Sequence, residues 1–366
     1  MAKRSTSVLP PALSDRLAQL KAHESSNAGQ ELKEVLDELA HLPAESIVRA
    51  SSEIATSAKL GRWLSQNAPL RVVPRDRFSF SLPRSWKVFA FDRIKHDPPS
   101  ERDLLKINPD YAWLFLFHPN GHIREAALRH INTPPRSSFF LSALAWRLND
   151  WVEQVRQAAK HCIERIGAGV SPEIAAETGL YLLSRRLVWE RWRNEAAALD
   201  RILAREDVIV AIADRLRTQT NGPMAACLRN ALQHPGIDRH LPVLAARAVQ
   251  PSVRAVAYQC LISGKARWQI GYEWIWIDRV YGLRKRIPAF ETRELLRDCA
   301  ADKYIADGLL DKSAFVRKIV ADAMIVVRSQ IADEKALVAL IADDPSPSVR
   351  SRADFMLRHP ASQSAG

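Results

Sequence analysis

One arrangement of polar and apolar positions returns along much of this chain. A turn rich in Pro, Asn, Asp and Ser leads into a helix whose apolar residues recur at three- and four-residue spacing. It is read in "HPNGHIREAALRHI" (118–131), "NDWVEQVRQAAKHCI" (149–163), "VQPSVRAVAYQCLI" (249–262), "DKSAFVRKIVADAMI" (311–325) and "DPSPSVRSRADFML" (344–357). A second amphipathic run precedes these helices, as in "SFFLSALAWRL" (138–148) and "EKALVALIADD" (334–344), so the unit is a helical hairpin. Nearer the start, three more helices are predicted in "ALSDRLAQLKAHE" (12–24), "GQELKEVLDELAHL" (29–42) and "AESIVRASSEIATSAKLGRWL" (44–64). Between 67 and 100 the helical period stops. Five prolines punctuate that stretch, and Phe78, Phe80 and Leu82 alternate with polar neighbours like a short strand.

Each repeated helix carries an apolar-Arg pair. The markers Arg124, Arg156, Arg254, Arg317 and Arg350 are separated by 32, 98, 63 and 33 residues. The long gaps are near three and two multiples of the short one, which is the signature of a repeat array. Weaker copies fill the gaps: Arg193 with Ala196, Pro223 with Ala226, and a slot near 286 using Arg286 with Ala289 or Arg293 with Leu296. Ala127, Ala159, Ala257 and Ala353 stand three residues after their markers, where a small side chain lets helices approach closely. Ser346 followed by Pro347 reads as an N-cap and first helical residue, with Ser313, Ser252 and Asn120 or Asn149 as capping candidates elsewhere. One arginine per repeat can reach a carboxylate or carbonyl of the next repeat, Asp150, Asp200, Asp311, Asp343 and Asp344 being candidates. The marker arginines are therefore expected to form a structural ladder rather than a binding site.

The turn, the Val/Ile-Arg pair and the Ala three residues on resemble HEAT repeats, in the short form called PBS-lyase HEAT-like, over roughly residues 101–358. The resemblance implies an all-α fold, a right-handed α-solenoid with a concave binding face. It implies no particular activity, because HEAT proteins include scaffolds, adaptors, lyase subunits and DNA glycosylases. The expected organisation is a helical N-terminal region at 1–66, a basic Pro/aromatic insert or linker at 67–100, a solenoid at 101–358 and a flexible tail at 359–366. The N-terminal region is an atypical cap in this reading.

Charge adds a partner class. The chain carries 53 Lys and Arg against 41 Asp and Glu, a formal charge of +12. Such a balance suits an acidic protein face or a nucleic acid. Arginine outnumbers lysine 39 to 14, a skew that a GC-rich genome also produces. The insert is near +5 over 67–95 and contains Arg84 and Lys87.

Aromatic and basic residues interleave most densely in "ARWQIGYEWIWIDRVYGLRKR" (266–286). There Trp268, Tyr272, Trp274, Trp276 and Tyr281 alternate with Arg267, Arg279, Arg284, Lys285 and Arg286, an arrangement suited to stacking on bases with phosphate clamping. The competing reading is a Trp-rich capping helix, buried against the neighbouring repeat, with a solvated basic turn. Trp146, Trp151, Trp189 and Trp192 are expected to pack within or beside repeat helices.

Catalytic and metal signatures are weak. His118 and His122 flank a Pro-Asn-Gly turn and do not share a helical face, and no HExxH, GxSxG or Walker-type loop occurs. Cys162, Cys227, Cys260 and Cys299 form no CxxC pair and are expected as buried free thiols in a reducing compartment. No run approaches the length of a membrane span, so a cytoplasmic location is expected. The function expected is a non-catalytic scaffold or adaptor binding a protein partner through a concave basic surface, with no metal or cofactor. The alternatives are a DNA-binding protein contacting the phosphate backbone, and, behind it, a HEAT-like DNA glycosylase. For the last, Asp150-Trp151, Asp278 with Trp276, and Glu190 with Trp189 and Trp192 are acid-aromatic neighbours. The binding residues expected are Arg84, Lys87, Trp274, Trp276, Arg279, Arg284, Lys285 and Arg286.

Overall fold

The computed structural model describes residues 7–20, 28–61, 101–185, 189 and 194–359. The insert with Arg84 and Lys87, the tail, and Glu190, Trp192 and Arg193 lie outside these residues. By packing, the chain divides into two compact units, Met1–Gly169 and Val170–Gly366.

The first unit contains α1 (Pro11–Gln19), α2 (Ala28–Ala40), α3 (Ile47–Ser57), α4 (Glu101–Ile107), α5 (Tyr111–Phe115), α6 (Gly121–His130), α7 (Ser138–Leu148) and α8 (Glu153–Ile166). Leu32, Val35, Leu36 and Leu39 give α2 a buried stripe, and both α2 and α3 pack against α7. The α7 helix is apolar nearly all round and is buried nearly all round. Chain entry is fixed by Glu53, whose Oε2 accepts the N–H groups of Val8 and Leu9 at 2.9 Å each.

The second unit contains α9 (Pro172–Arg185), α10 (Ala197–Leu203), α11 (Glu206–Thr218), α12 (Met224–Ala231), α13 (Leu241–Arg247) and α14 (Pro251–Ser263). Two strands follow, β1 (Lys265–Asp278) and β2 (Leu283–Glu294). The chain then completes α15 (Ala301–Leu309), α16 (Ala314–Val326), α17 (Glu334–Ala342) and α18 (Pro347–Arg358). The described residues are mostly helical, as expected, with one two-stranded antiparallel sheet added between α14 and α15. No described helix is long and apolar enough to cross a membrane.

The repeat helices share one polar device. Each marker arginine points Nη1 at the carbonyl six residues back: Arg124 at His118, Arg156 at Asp150, Arg254 at Ala248, Arg317 at Asp311 and Arg350 at Asp344, at 2.6–3.0 Å. Three of them also fork a carboxylate of the following repeat through Nε and Nη2. Arg124 takes Asp150 (2.9 and 2.8 Å), Arg254 takes Asp311 (2.7 and 2.9 Å) and Arg317 takes Asp344 (2.6 and 2.9 Å). The same Asp Oδ1 accepts the N–H two residues on, from Val152, Ser313 or Ser346. One aspartate thereby orders its own turn and joins it to the preceding helix. The planar guanidinium suits this task, because its fixed fork serves a carboxylate and a carbonyl together.

The exception obeys the same logic. Pro223 stands where a marker arginine would be, and Ala248 stands where the next repeat would carry the aspartate. Gln250 closes that joint instead: its Nε2 lies 3.1–3.3 Å from the carbonyls of Gln219, Asn221 and Gly222.

Packing at the markers follows from the residue types. Val155, Val253, Val316 and Val349, each just before a marker, are fully buried, and so are Ala127, Ala159, Ala257 and Ala353 three residues after. Asn120 caps α6 through its side chain, at 2.9 Å to the His122 N–H. Ser313 and Ser346 occupy N-cap positions without a side-chain cap bond, and their own N–H groups are taken by the aspartate two residues earlier. Cys162, Cys227 and Cys260 are buried, and burial pushes their thiols up to about 12, 11 and 12. Cys299 differs from the expectation: it precedes α15 and is half-buried.

Hydrogen bonds from Arg317 hold the Asp344 carboxyl below its ordinary value against the upward push of burial, with the Ser346 N–H and the Arg350 charge adding to them. A depressed folded-state pKa contributes stability that is present above the unfolded value, about 3.9, and lost as pH falls through the folded value. In urea titrations, the advantage of the native protein over Asp344→Asn should therefore be steady from neutrality to about pH 5 and shrink below about pH 4. An advantage that grew on acidification would contradict the assigned pairing.

Candidate functional site

The densest aromatic-basic stretch is a β-hairpin. Its register runs from Lys265↔Glu294 at the base to Asp278↔Leu283 at the tip, with irregularities at Ile270 and Ile277. Aromatic and branched residues at alternating positions of 266–277 favour a pleated conformation over a helix. Asp278 Oδ1 accepts the N–H groups of Val280 (2.8 Å) and Tyr281 (3.1 Å), and Gly282 supplies a left-handed residue at φ 66° before β2 begins.

The base is firmly held. The chain leaves α14 through Gly264, also left-handed at φ 67°, and returns when the Leu295 N–H bonds the Gly264 carbonyl at 2.9 Å. Arg293 forks Asp238 (2.7 and 2.5 Å) and reaches the Leu232 carbonyl (3.0 Å), while Arg297 reaches the Leu261 carbonyl (2.9 Å). Ala266 and Leu295 are buried there.

Beyond the base the ribbon is exposed on both sides. Trp274 is 57% exposed, Trp276 52% and Tyr272 48%. Residues two apart on a strand share a face. The pairs Gln269↔Phe290, Tyr272↔Pro288, Trp274↔Arg286 and Trp276↔Arg284 therefore lie on one side, with Arg267, which pairs with Thr292. Three guanidiniums stack on rings of this face: Arg267 over Phe290 at 4.0 Å, Arg286 over Tyr272 at 4.2 Å and Arg284 over Trp274 at 4.7 Å. Each of the last two arginines sits diagonally from its ring and beside the next aromatic. The order along the face is thus Tyr272, Arg286, Trp274, Arg284, Trp276. None of these paired positions holds a carboxylate.

Of the expected binding residues, the hairpin brings Trp274, Trp276, Arg284 and Arg286 together. Arg279 lies in the tip, and Lys285 pairs with Ile275 on the opposite side. The buried capping helix weighed for this stretch is not formed, nor is a repeat helix near 286. Arg293 instead ties the ribbon to Asp238. Sequence reasoning missed Phe290 as a ring of this face. Its signal was the alternation Arg284, Arg286, Pro288, Phe290, diluted by a proline and by few apolar residues in β2.

Of the acid-aromatic neighbours, Glu190 and Trp192 lie outside the described residues, and the two described acids have structural partners. Asp150 is buried between Arg124 and Arg147, and Asp278 orders the ribbon tip. Trp189 is buried, whereas Trp151, expected to pack, is 72% exposed. Among the described residues no group of three His, Cys, Asp or Glu is placed to hold a metal ion. His118 is buried with Nε2 3.0 Å from Glu101 Oε2. Its Nδ1 accepts the Asn120 N–H at 2.9 Å.

Compared with known proteins, no family model and no curated relative matches the chain.

Proposed function

We propose that this chain is a non-catalytic, HEAT-like repeat scaffold in the cytoplasm that binds a negatively charged macromolecule through the β-ribbon. A right-handed solenoid is the architecture that recurrent Arg–Asp joints and buried small residues support. The observation that carries the reading is how the ribbon is inserted. Arg124 and Asp150 are 26 residues apart and Arg317 and Asp344 are 27, but Arg254 and Asp311 are 57. The 30 residues of 265–294 account for the excess. An entire ribbon has been placed between two repeats without breaking the joint, and its aromatic and basic side chains are left uncovered.

A bare two-stranded ribbon is marginal in water, so so much exposed ring area calls for a ligand rather than for stability. Charge selects the ligand's sign.

The test replaces residues 267–292 by a short glycine turn between Ala266 and Arg293, which keeps the Arg293 fork with the buried Asp238. The variant should keep its helical circular dichroism and leave immobilised heparin at clearly lower salt than the full chain. Unchanged elution would refute the ribbon as the binding arm.

A further inference from the structure

Resting on the reading of the ribbon as the binding arm, we infer that its Arg-aromatic face is a site for single-stranded nucleic acid, with bases intercalated between Tyr272, Trp274 and Trp276. Spacing carries the argument. Rings on one strand face recur every ~6.7 Å, twice the rise per residue. A base stacked between two rings needs about twice the ~3.4 Å stacking separation of nucleic acid, which is the same distance. Two rings of this row already carry a guanidinium on one face, Tyr272 that of Arg286 at 4.2 Å and Trp274 that of Arg284 at 4.7 Å, so the ring faces are open to a flat group. A base entering a gap displaces a flat cation with a flat ring. The freed guanidinium, on a long side chain, swings out toward the adjoining phosphate. Stacking and charge neutralisation are thus supplied by neighbouring residues in alternation.

The choice of single strand follows from which part of a base is offered. Stacking uses the ring face, and in a duplex those faces are covered by neighbouring pairs; only unpaired nucleotides present them. An acidic peptide would neutralise Arg267, Arg284 and Arg286 but has no flat groups for the gaps. From Arg267 to Trp276 the paired positions of this face hold no carboxylate, the nearest being Glu294 opposite Lys265 at the base, so a phosphate backbone on the outer ribbon meets no facing negative charge. Two gaps and three arginines set a footprint of about three nucleotides, with little preference among bases because every base has a π-face.

The test is fluorescence anisotropy of the full chain with labelled dT12, dA12 and a 12-base-pair duplex across a salt series. Alongside run Trp274→Ala/Trp276→Ala, Arg284→Gln/Arg286→Gln, the ribbon-deleted chain and a poly-glutamate competitor. All substituted side chains are exposed, and thermal melting checks that the fold is kept. Both single strands should bind at least tenfold tighter than the duplex. Each double substitution should weaken them at least tenfold, and the logarithmic salt slope should be about −2, as three phosphate contacts on a single strand require. Equal or tighter duplex binding would overturn the inference in favour of a ribbon reading a groove. Single-strand affinity unmoved by the tryptophan pair, or displacement by poly-glutamate as effective as by unlabelled dT12, would overturn it too. Heparin retention that needs the ribbon, without oligonucleotide binding, would refute the ligand and leave the arm. Oligonucleotide binding unchanged in the ribbon-deleted chain would refute both.

Discussion

Asp150→Ala should be among the most damaging single substitutions in the first unit, with a loss of about 3–5 kcal/mol. Asp150 is almost wholly buried and serves two buried guanidiniums, Arg124 at 2.9 and 2.8 Å and Arg147 at 2.8 Å. It also accepts the Val152 N–H, and its carbonyl receives Arg156. Burial pulls the Arg147 guanidinium down to about 10 against the counter-pull of Asp150, so at neutral pH it is still charged. Removing the carboxylate leaves two buried cations facing each other, which costs more than losing the attractive pair gained. Asp150→Asn keeps an oxygen for the Val152 N–H and should retain part of the stability. Urea unfolding followed by circular dichroism measures both. An alanine variant within about 1 kcal/mol of the native protein would show that the guanidiniums find other partners, and the joint would not be what holds α6 to α8.

The second large effect is expected at the joint that spans the ribbon. Arg254 is the largest fully buried side chain among the described residues, and its fork with Asp311 leaves both groups under a tenth exposed. Arg254→Ala should cost about 3–5 kcal/mol, since it strands Asp311 and opens a space beside Ala248. Arg317→Ala should cost less, because that side chain is more exposed, and should lower the melting temperature without selectively removing binding. A double-mutant cycle between Arg254 and Asp311 should give a coupling of about 0.5–3 kcal/mol. The coupling should be the same in the ribbon-deleted chain, because the ribbon enters and leaves at Gly264 and Leu295 and contributes nothing to the fork. A coupling that vanished with the ribbon would mean that the ribbon belongs to the repeat joint, and it could not then be a free arm.

These two expectations concern the frame and the inferred ligand site concerns the arm, and the chain separates them cleanly. The marker arginines are buried or half-buried, all five hold a carbonyl, and Arg124, Arg254 and Arg317 also fork a carboxylate. Arg267, Arg284 and Arg286 on the outer ribbon are exposed and lie over aromatic rings, an interaction weak enough for a competing flat ligand to replace.

The sequence by itself determined what is local or periodic. Three-and-four spacing gave the three helices before residue 62 and the helices after each polar turn. The recurrence of Arg near every 32 residues marked a structural ladder, because each helix repeats one burial problem at one position. It also narrowed the acidic partners to five aspartates. What it left open was pairing across distance. Only the tertiary structure decided that Asp344, and not its neighbour Asp343, takes the Arg317 fork, and that Gln250 closes the joint where Pro223 and Ala248 replace the pair. The ribbon is the same case on a larger scale. On a helix, Trp274 and Trp276 stand two residues apart and would point to different faces. On a strand they share a face, and that choice rests on twelve partners in β2 whose own sequence carries little strand signal. Helix propensity and period are written in neighbouring residues. Strand pairing is a contract between segments, and it is made in space.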